Sequence, residues 1–275
     1  MKKYLFFAIA ILAIILSSCY TTSYYYQIYD VKSYGEGMTS NLIYEDNYVK
    51  ITYNFWKDGG DGDFLIENTS SQDIYVDLSK CFFIYNDYAF DYYKNTYKST
   101  NYSSIAYYSN EGGRSVYHPA VSYTKYEIED KVLCIPSHSI KKIDCPYSIH
   151  NTLYRDCILS LFPSQSRVWN RLTRSYESPA LPSSEFSLGT SPIIFRNVIS
   201  YYIENPEQSH RIENEFYVNK ITNYPESSIL ETHTKDKTMC GKEYNRYYST
   251  NKMEDASRFY YKYSNYTYGY SIDGH

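Results

Sequence analysis

The chain has 275 residues, with 31 acidic side chains against 27 basic ones. That length allows one large domain or two small ones with a core of their own, and the mildly negative charge excludes nucleic acid as a natural partner, because phosphate binding needs clustered Lys and Arg. Tyr occurs 38 times; rings in such number suit half-buried pleated surfaces and tilt the composition toward strands, with a sugar-stacking surface as the competing use.

Met1-Lys2-Lys3 opens the chain, Tyr4 to Leu16 is apolar, and Leu16-Ser17-Ser18-Cys19 places small residues before a cysteine. The apolar run of 13 residues is shorter than the roughly 20 that span a bilayer, so it reads as a cleaved signal and not as a membrane helix. The pattern resembles the signal of bacterial lipoproteins. That resemblance implies cleavage before Cys19 and lipidation of Cys19, first on sulfur and then on the new α-amino group. Each buried acyl methylene contributes about 0.8 kcal/mol, so two or three chains hold a protein on a membrane unaided. Tyr20 stands where an Asp would retain such lipoproteins in the inner membrane, and Tyr20 to Tyr24 carries no acidic run. The resemblance therefore implies an outer-membrane, lipid-anchored protein, periplasm-facing in preference to surface-exposed.

After the signal (1–18), residues 19–40 are polar without steady period and read as a lipidated tether. The folded domain is expected over 41–222. Tyr48, Lys50, Thr52 and Asn54 alternate with Val49, Ile51, Tyr53 and Phe55, the period-two pattern of a strand with one buried face. Lys57 to Gly62 turns the chain into a second strand at Phe64, Leu65 and Ile66. Ile74 to Leu78, Cys81 to Tyr85, Val132 to Ile135 and Ile140 to Cys145 follow as strands, the last two joined around Pro136-Ser137-His138-Ser139. Pro192 to Glu204 and Glu215 to Thr222 complete the set. Residues 95–128 and 161–190 read as long irregular excursions, the second opposed to regular structure by Pro163, Pro179 and Pro182. Residues 223–275, with nine Tyr between Tyr244 and Tyr270 and almost no aliphatic side chains, read as a polar tail. The expected core is Val49, Ile51, Phe64, Ile66, Ile74, Val76, Phe83, Val132 and Ile135.

Phe64 to Ser70 leading into Ile74 to Asp77, and Val132 to Ser139 leading into Ile140, resemble the edge signatures of immunoglobulin-like β-sandwiches, in which a hydrophobic strand enters an Asn-hydroxyl turn or ends in Ile-Pro. The chain is similar to uncharacterised lipoproteins of Gram-negative bacteria carrying one such domain. The implied fold is all-β, an immunoglobulin-like antiparallel sandwich with long loop excursions. The fold hosts many functions and brings no active site with it.

Chemistry-bearing motifs are sparse. Asp58-Gly59-Gly60-Asp61-Gly62-Asp63 offers carboxylates to a hard cation, but an EF-hand counted from Asp58 would need Glu where Thr69 stands, so a hairpin turn is the better reading. The six His are isolated, with no HExxH, and no GxSxG occurs. His150 lies seven residues before Cys157, but no oxyanion-donating motif accompanies them. Cys81, Cys134, Cys145, Cys157 and Cys240 form no CxxC pair; Cys134 and Cys145, flanking one turn, are the first candidates for a bridge, with free buried thiols as the equal alternative. No cofactor, metal site or catalytic residue is expected. The favoured function is a non-catalytic binding or structural module of the envelope, with another envelope protein or a glycan as ligand. The alternative is a glycan-processing hydrolase whose carboxylates converge only in the fold.

Overall fold

A computed structural model describes residues 22–35, 37–39, 41–111, 113–157, 159–163, 168–170, 174–177, 181–239 and 242–265. The signal segment, Cys19 and Cys240 lie outside the described residues. Among the described residues the regular structure is almost wholly antiparallel strand. In order they are β1 (Tyr24–Tyr34), β2 (Ile43–Glu45), β3 (Val49–Tyr53), β4 (Phe64–Asn68), β5 (Ile74–Asp77), β6 (Phe82–Tyr85) and β7 (Tyr88–Asp91). Next come β8 (Tyr97–Ser103), β9 (Tyr107–Glu111), β10 (Arg114–His118), β11 (Ser122–Ile128), β12 (Val132–Ile135) and β13 (Ile140–Ile143). The last are β14 (Val168–Asn170), β15 (Ser175–Glu177), β16 (Ser183–Glu185), β17 (Ile194–Tyr202), β18 (His210–Pro225), β19 (Leu230–Met239), β20 (Lys242–Asn251) and β21 (Arg258–Ser264).

The larger sheet runs β12-β5-β17-β18-β1-β21, with β6 and β7 beside β17, and β16 beside β18; the smaller runs β13-β4-β3-β2. Their buried faces meet in one core. Tyr53 and Phe55 from the smaller sheet's side pack edge-on to Phe216 of β18, with ring centroids 5.0 Å apart in both pairs. β3 buries Val49, Ile51 and Tyr53 and half-exposes the residues between them, as the alternation requires. Eight of the nine expected core residues are buried; Val132, at the sheet edge, is half-exposed.

Four expectations are corrected. First, the tether reading of 19–40 fails from Tyr24 onward, because β1 lies inside the larger sheet, paired with β18 on one side and β21 on the other. Residues Tyr25 to Tyr29 are all buried. Tyr29 and Val31 face the main core, while Tyr26 and Ile28 face a second cluster with Ile229, Trp56, Met253 and Tyr260. Second, the tail from 223 onward is not without structure, since β21 closes the sheet edge and buries Phe259 against Tyr29, the rings 4.5 Å apart and nearly parallel. The folded unit thus extends beyond the expected 41–222 limits at both ends.

Third, the excursion at 95–128 is a ribbon. Tyr97 faces Ile128, Ser103 faces Ser122, Tyr107 faces His118 and Glu111 faces Arg114, so neither strand gains a residue on the other along its length. The register leaves a two-residue turn, with Gly113 at φ +82°, where only Gly is unstrained. Tyr102 stacks on Tyr123, and Tyr107 on His118, across the strands. β19 and β20 form a second ribbon of the same kind. The later excursion carries β16, which pairs with β18, and the short β14–β15 hairpin.

Fourth, β12 and β13 are not a flat hairpin. β12 pairs with β5 in the larger sheet and β13 with β4 in the smaller one, so the turn between them crosses from sheet to sheet beside the crossing from β4 to β5. Asn68, fully buried, ties the two corners: its Nδ2 donates to the Gln72 carbonyl (2.7 Å) and the Ile135 carbonyl (3.0 Å), and its Oδ1 accepts from the Ser70 amide and hydroxyl. Ser137 adds a hydrogen bond from its hydroxyl to the Ser70 carbonyl. Cys134 consequently lies on the larger sheet and Cys145 just beyond the end of β13 in the smaller one, and both are free thiols, as are Cys81 and Cys157.

Candidate functional site

The corner that Asn68 builds also presents Gln72 and Asp73 to solvent. Opposite them, β17 ends at Tyr202 and the chain turns back through Ile203 to Ser209 into β18. That turn is held locally: the Asn205 side chain accepts from the Glu207 amide (3.0 Å), and the Gln208 amide donates to the Asn205 carbonyl (3.0 Å). The two loops touch where Gln72 Nε2 donates to Glu204 Oε1 at 2.8 Å.

On either side of this contact lies a cavity. One, of about 540 Å³, is lined by Tyr48, Gln72, Ile203, Glu204, Asn205, Gln208, Ser209 and His210. The other, of about 530 Å³, is lined by Gln72, Asp73, Tyr75, Tyr202, Ile203, Glu204 and Pro206. They share Gln72, Ile203 and Glu204, and together form a two-lobed cleft at one end of the sheets. Each lobe carries flat rings. Tyr75 and Tyr202 are register partners on β5 and β17, their planes 15° apart and centroids at 5.3 Å. In the other lobe, His210 stacks on Tyr201 at 4.9 Å and leans on Tyr48 at 5.3 Å. Tyr201 is fixed from below by a 2.9 Å hydrogen bond to Asp46, which also caps the amides of Tyr48 and Val49. Burial, reinforced by Asp46, raises the Tyr201 hydroxyl above its ordinary range and keeps it a donor.

Two other cavities are better explained by structure. The one of about 620 Å³ beside the bulge at Asp30/Val31 collects Asp30, Lys220 and Arg258, but Arg258 pairs with Asp30 and Lys220 with Glu185. Another, of about 470 Å³, is lined by Phe83, Tyr85, Phe90, Tyr147 and His150. There His150 meets the Tyr85 hydroxyl at Nδ1 (2.8 Å) and Thr152 Oγ1 at Nε2 (3.2 Å). Burial lowers the His150 pKa. Its ring is thus engaged by a tyrosine and a threonine, and Cys157, its suggested partner, is exposed.

The acidic loop singled out in the sequence is a turn whose carboxylates serve different neighbours. Asp58 accepts from the Lys262 amide, Asp61 pairs with Lys57, and Asp63 accepts from the Cys145 amide and pairs with Lys142. Gly60, at φ +79°, lies so close to Ile149 that a Cβ would sit 2.8 Å from it. Among the described residues no group of three His, Cys, Asp or Glu side chains is arranged to hold a metal. The cleft residues Gln72, Tyr75, Tyr202 and Glu204 come from segments 130 residues apart and leave no local motif; the Asn-hydroxyl turn at 68–73 was the one visible pointer. No protein-family model, curated protein or solved structure matches the chain.

Proposed function

We propose that the protein is an outer-membrane lipoprotein, anchored through lipid on Cys19 and facing the periplasm, whose folded part is a non-catalytic binding module of the cell envelope on an immunoglobulin-like sandwich. The observation that carries the binding reading is the two-lobed cleft, where exposed amides, carboxylates and paired rings converge from the 68–73 corner, the 203–209 turn and the strand ends beside them. Small-ligand sites commonly combine a concavity of roughly 300–1,000 Å³ with aromatic walls and a few placed polar groups. The sandwich reading is supported by two antiparallel sheets sharing one core and by corners at which strands change sheet. The anchor reading rests on the Leu16-Ser17-Ser18-Cys19 sequence.

Two measurements test this. Growth with an alkyne fatty acid is expected to label the native chain and not Cys19→Ala. Mature protein incubated with envelope extract is expected to retain a compound that the Gln72→Ala/Tyr202→Ala double variant does not. Chemical conversion of that compound, lost in Glu204→Gln, would favour the hydrolase alternative instead.

A further inference from the structure

We infer that the cleft takes an uncharged or amine-bearing oligosaccharide, with one sugar ring in each lobe. The inference rests on the binding-module reading above and names its ligand class.

Three features of the lining argue for it. A pyranose ring has an apolar face of axial C–H bonds and a rim of hydroxyls. The electron-rich faces of tyrosine attract the first, and each lobe holds rings for it: Tyr75 with Tyr202, and Tyr48 with His210. The rim needs groups that donate and accept in one plane. Gln72, Asn205 and Gln208 supply amides, and Ser209 a hydroxyl, around one lobe. Gln72 reaches both lobes, and its bond to Glu204 holds it between them, where a glycosidic linkage would pass.

Charge then narrows the class. Glu204 and Asp73 line the cleft, and no Lys or Arg does so among the described residues. An anionic sugar would place its carboxylate against these two without a fixed cation to meet it. A free amine would instead find a carboxylate, and charge-assisted hydrogen bonds are about twice as strong as neutral ones.

The experiment is calorimetric titration of the full mature protein with three trisaccharides, one neutral β-1,4-linked glucose trimer, one glucosamine trimer and one uronic acid trimer, together with their monosaccharides. Expected is binding of the neutral or the amine-bearing trimer, on the order of tenfold tighter than its monosaccharide, and a loss of about tenfold or more in Tyr202→Ala and in Gln72→Ala. Tyr202→Phe should bind as the native chain does, which separates loss of the ring from loss of folding. Uronic acid trimer binding as tightly as the neutral one would overturn the charge argument and leave the binding module standing. Binding that ignores Tyr202→Ala would place the sugar elsewhere and overturn the site. If no trimer binds while an envelope peptide is captured in a Tyr202-dependent way, the sugar class falls and the module reading survives; if nothing is captured by the cleft, both fall.

Discussion

Asn197 on β17 and Asn214 on β18 stand directly opposite each other in the core, each almost wholly buried, and each meets a tyrosine hydroxyl, from Tyr92 just after β7 and from Tyr53 on the facing sheet. Tyr92 donates to Asn197 Oδ1 at 2.7 Å, and Asn214 Nδ2 donates to the Tyr53 hydroxyl at 2.8 Å. Burial holds both hydroxyls well above their ordinary pKa. The remaining amide atoms, Asn197 Nδ2 and Asn214 Oδ1, are a donor and an acceptor on neighbouring residues, and each is without a partner. Leaving a buried polar group unpaired costs about 1–3 kcal/mol, whereas removing both partners together can be nearly neutral. Asn214→Leu alone is expected to lower stability by that amount, and Tyr53→Phe in the same chain to recover part of it. Urea denaturation of the four chains checks this; strictly additive effects would show that the two side chains are not coupled.

Phe259 gives the sharpest test of the closing strand. Fully buried and stacked on Tyr29, it should cost about 3–5 kcal/mol when cut to Ala. Deleting β21 with the residues after it would also bare the edge of β1. Thermal unfolding of the chain ended at Ser257 should therefore show a melting temperature lower by about 10 °C or more. An unchanged transition would mean that the strand is dispensable.

Asn68→Ala should loosen both sheet-crossing corners at once, because it takes a donor from the Ile135 carbonyl, leaves the Gln72 carbonyl to the Ser70 hydroxyl, and releases the Ser70 amide. The expected loss is about 2–3 kcal/mol, accompanied by faster amide exchange at Ser70, whose N–H loses its acceptor. A protein that loses stability without that local exchange would locate the effect elsewhere.

The pH dependence has two limbs. Burial lowers the folded-state pKa of His150, so the unfolded chain takes the proton first. The associated stability is whole above the ordinary histidine value of about 6.5 and drains as pH falls through the lower folded value. His150→Gln should flatten this acid limb. Burial pushes the Cys81 thiol up from 9.0 to about 12. Its contribution is whole below 9.0 and is lost as pH climbs through about 12, so Cys81→Ala should weaken the alkaline limb from about pH 9, while the buried Tyr53 and Tyr92 hydroxyls keep their share above about 10. At pH 8 the exposed Cys134 and Cys157 should react with a thiol reagent well before Cys81 does; equal rates would contradict the burial of Cys81.

The parts of the fold that were legible in the sequence are those with one wet face. β3, β4 and β5 alternate, and their apolar positions are the core. β1 escaped because it is buried on both faces, where alternation vanishes, and because its buried residues include Tyr25, Tyr26 and the fully enclosed Gln27, which look like surface. Gln27 is held there by Asn223 and by the Tyr154 backbone, partners far away in the chain. The ribbon at 97–128 escaped for the opposite reason: with Tyr102, Tyr108, Tyr117 and Tyr123 all exposed, neither face selects for apolar residues. Only the Gly-Gly turn and the symmetric spacing around it carry its register. The β12–β13 corner looked like a hairpin because turn chemistry reports a reversal and not which sheet receives the next strand. The cleft was illegible for a related reason, since its lobes exist only once the 68–73 corner and the 203–209 turn are brought together.

The larger sheet begins and ends at the same place. The Ser23 amide donates to Asn265 Oδ1 at 2.9 Å, and the Asn265 amide returns to the Ser23 carbonyl at 3.1 Å. A lipid on Cys19 would thus leave a leash of four residues, no longer than about 14 Å when fully extended, before the chain enters the sheet. Such a leash does not let the domain roam. It would hold the β1 start, and with it Asn265, the partner of Ser23, at the headgroup surface. β18 starts beside the cleft at His210 and reaches Pro225, the partner of Tyr25. At about 3.3 Å per residue, that strand's contour sets the cleft as much as 50 Å along the sheet from the anchored end. The lipid would fix orientation as well as address, with the lobes turned outward into the space that faces the membrane.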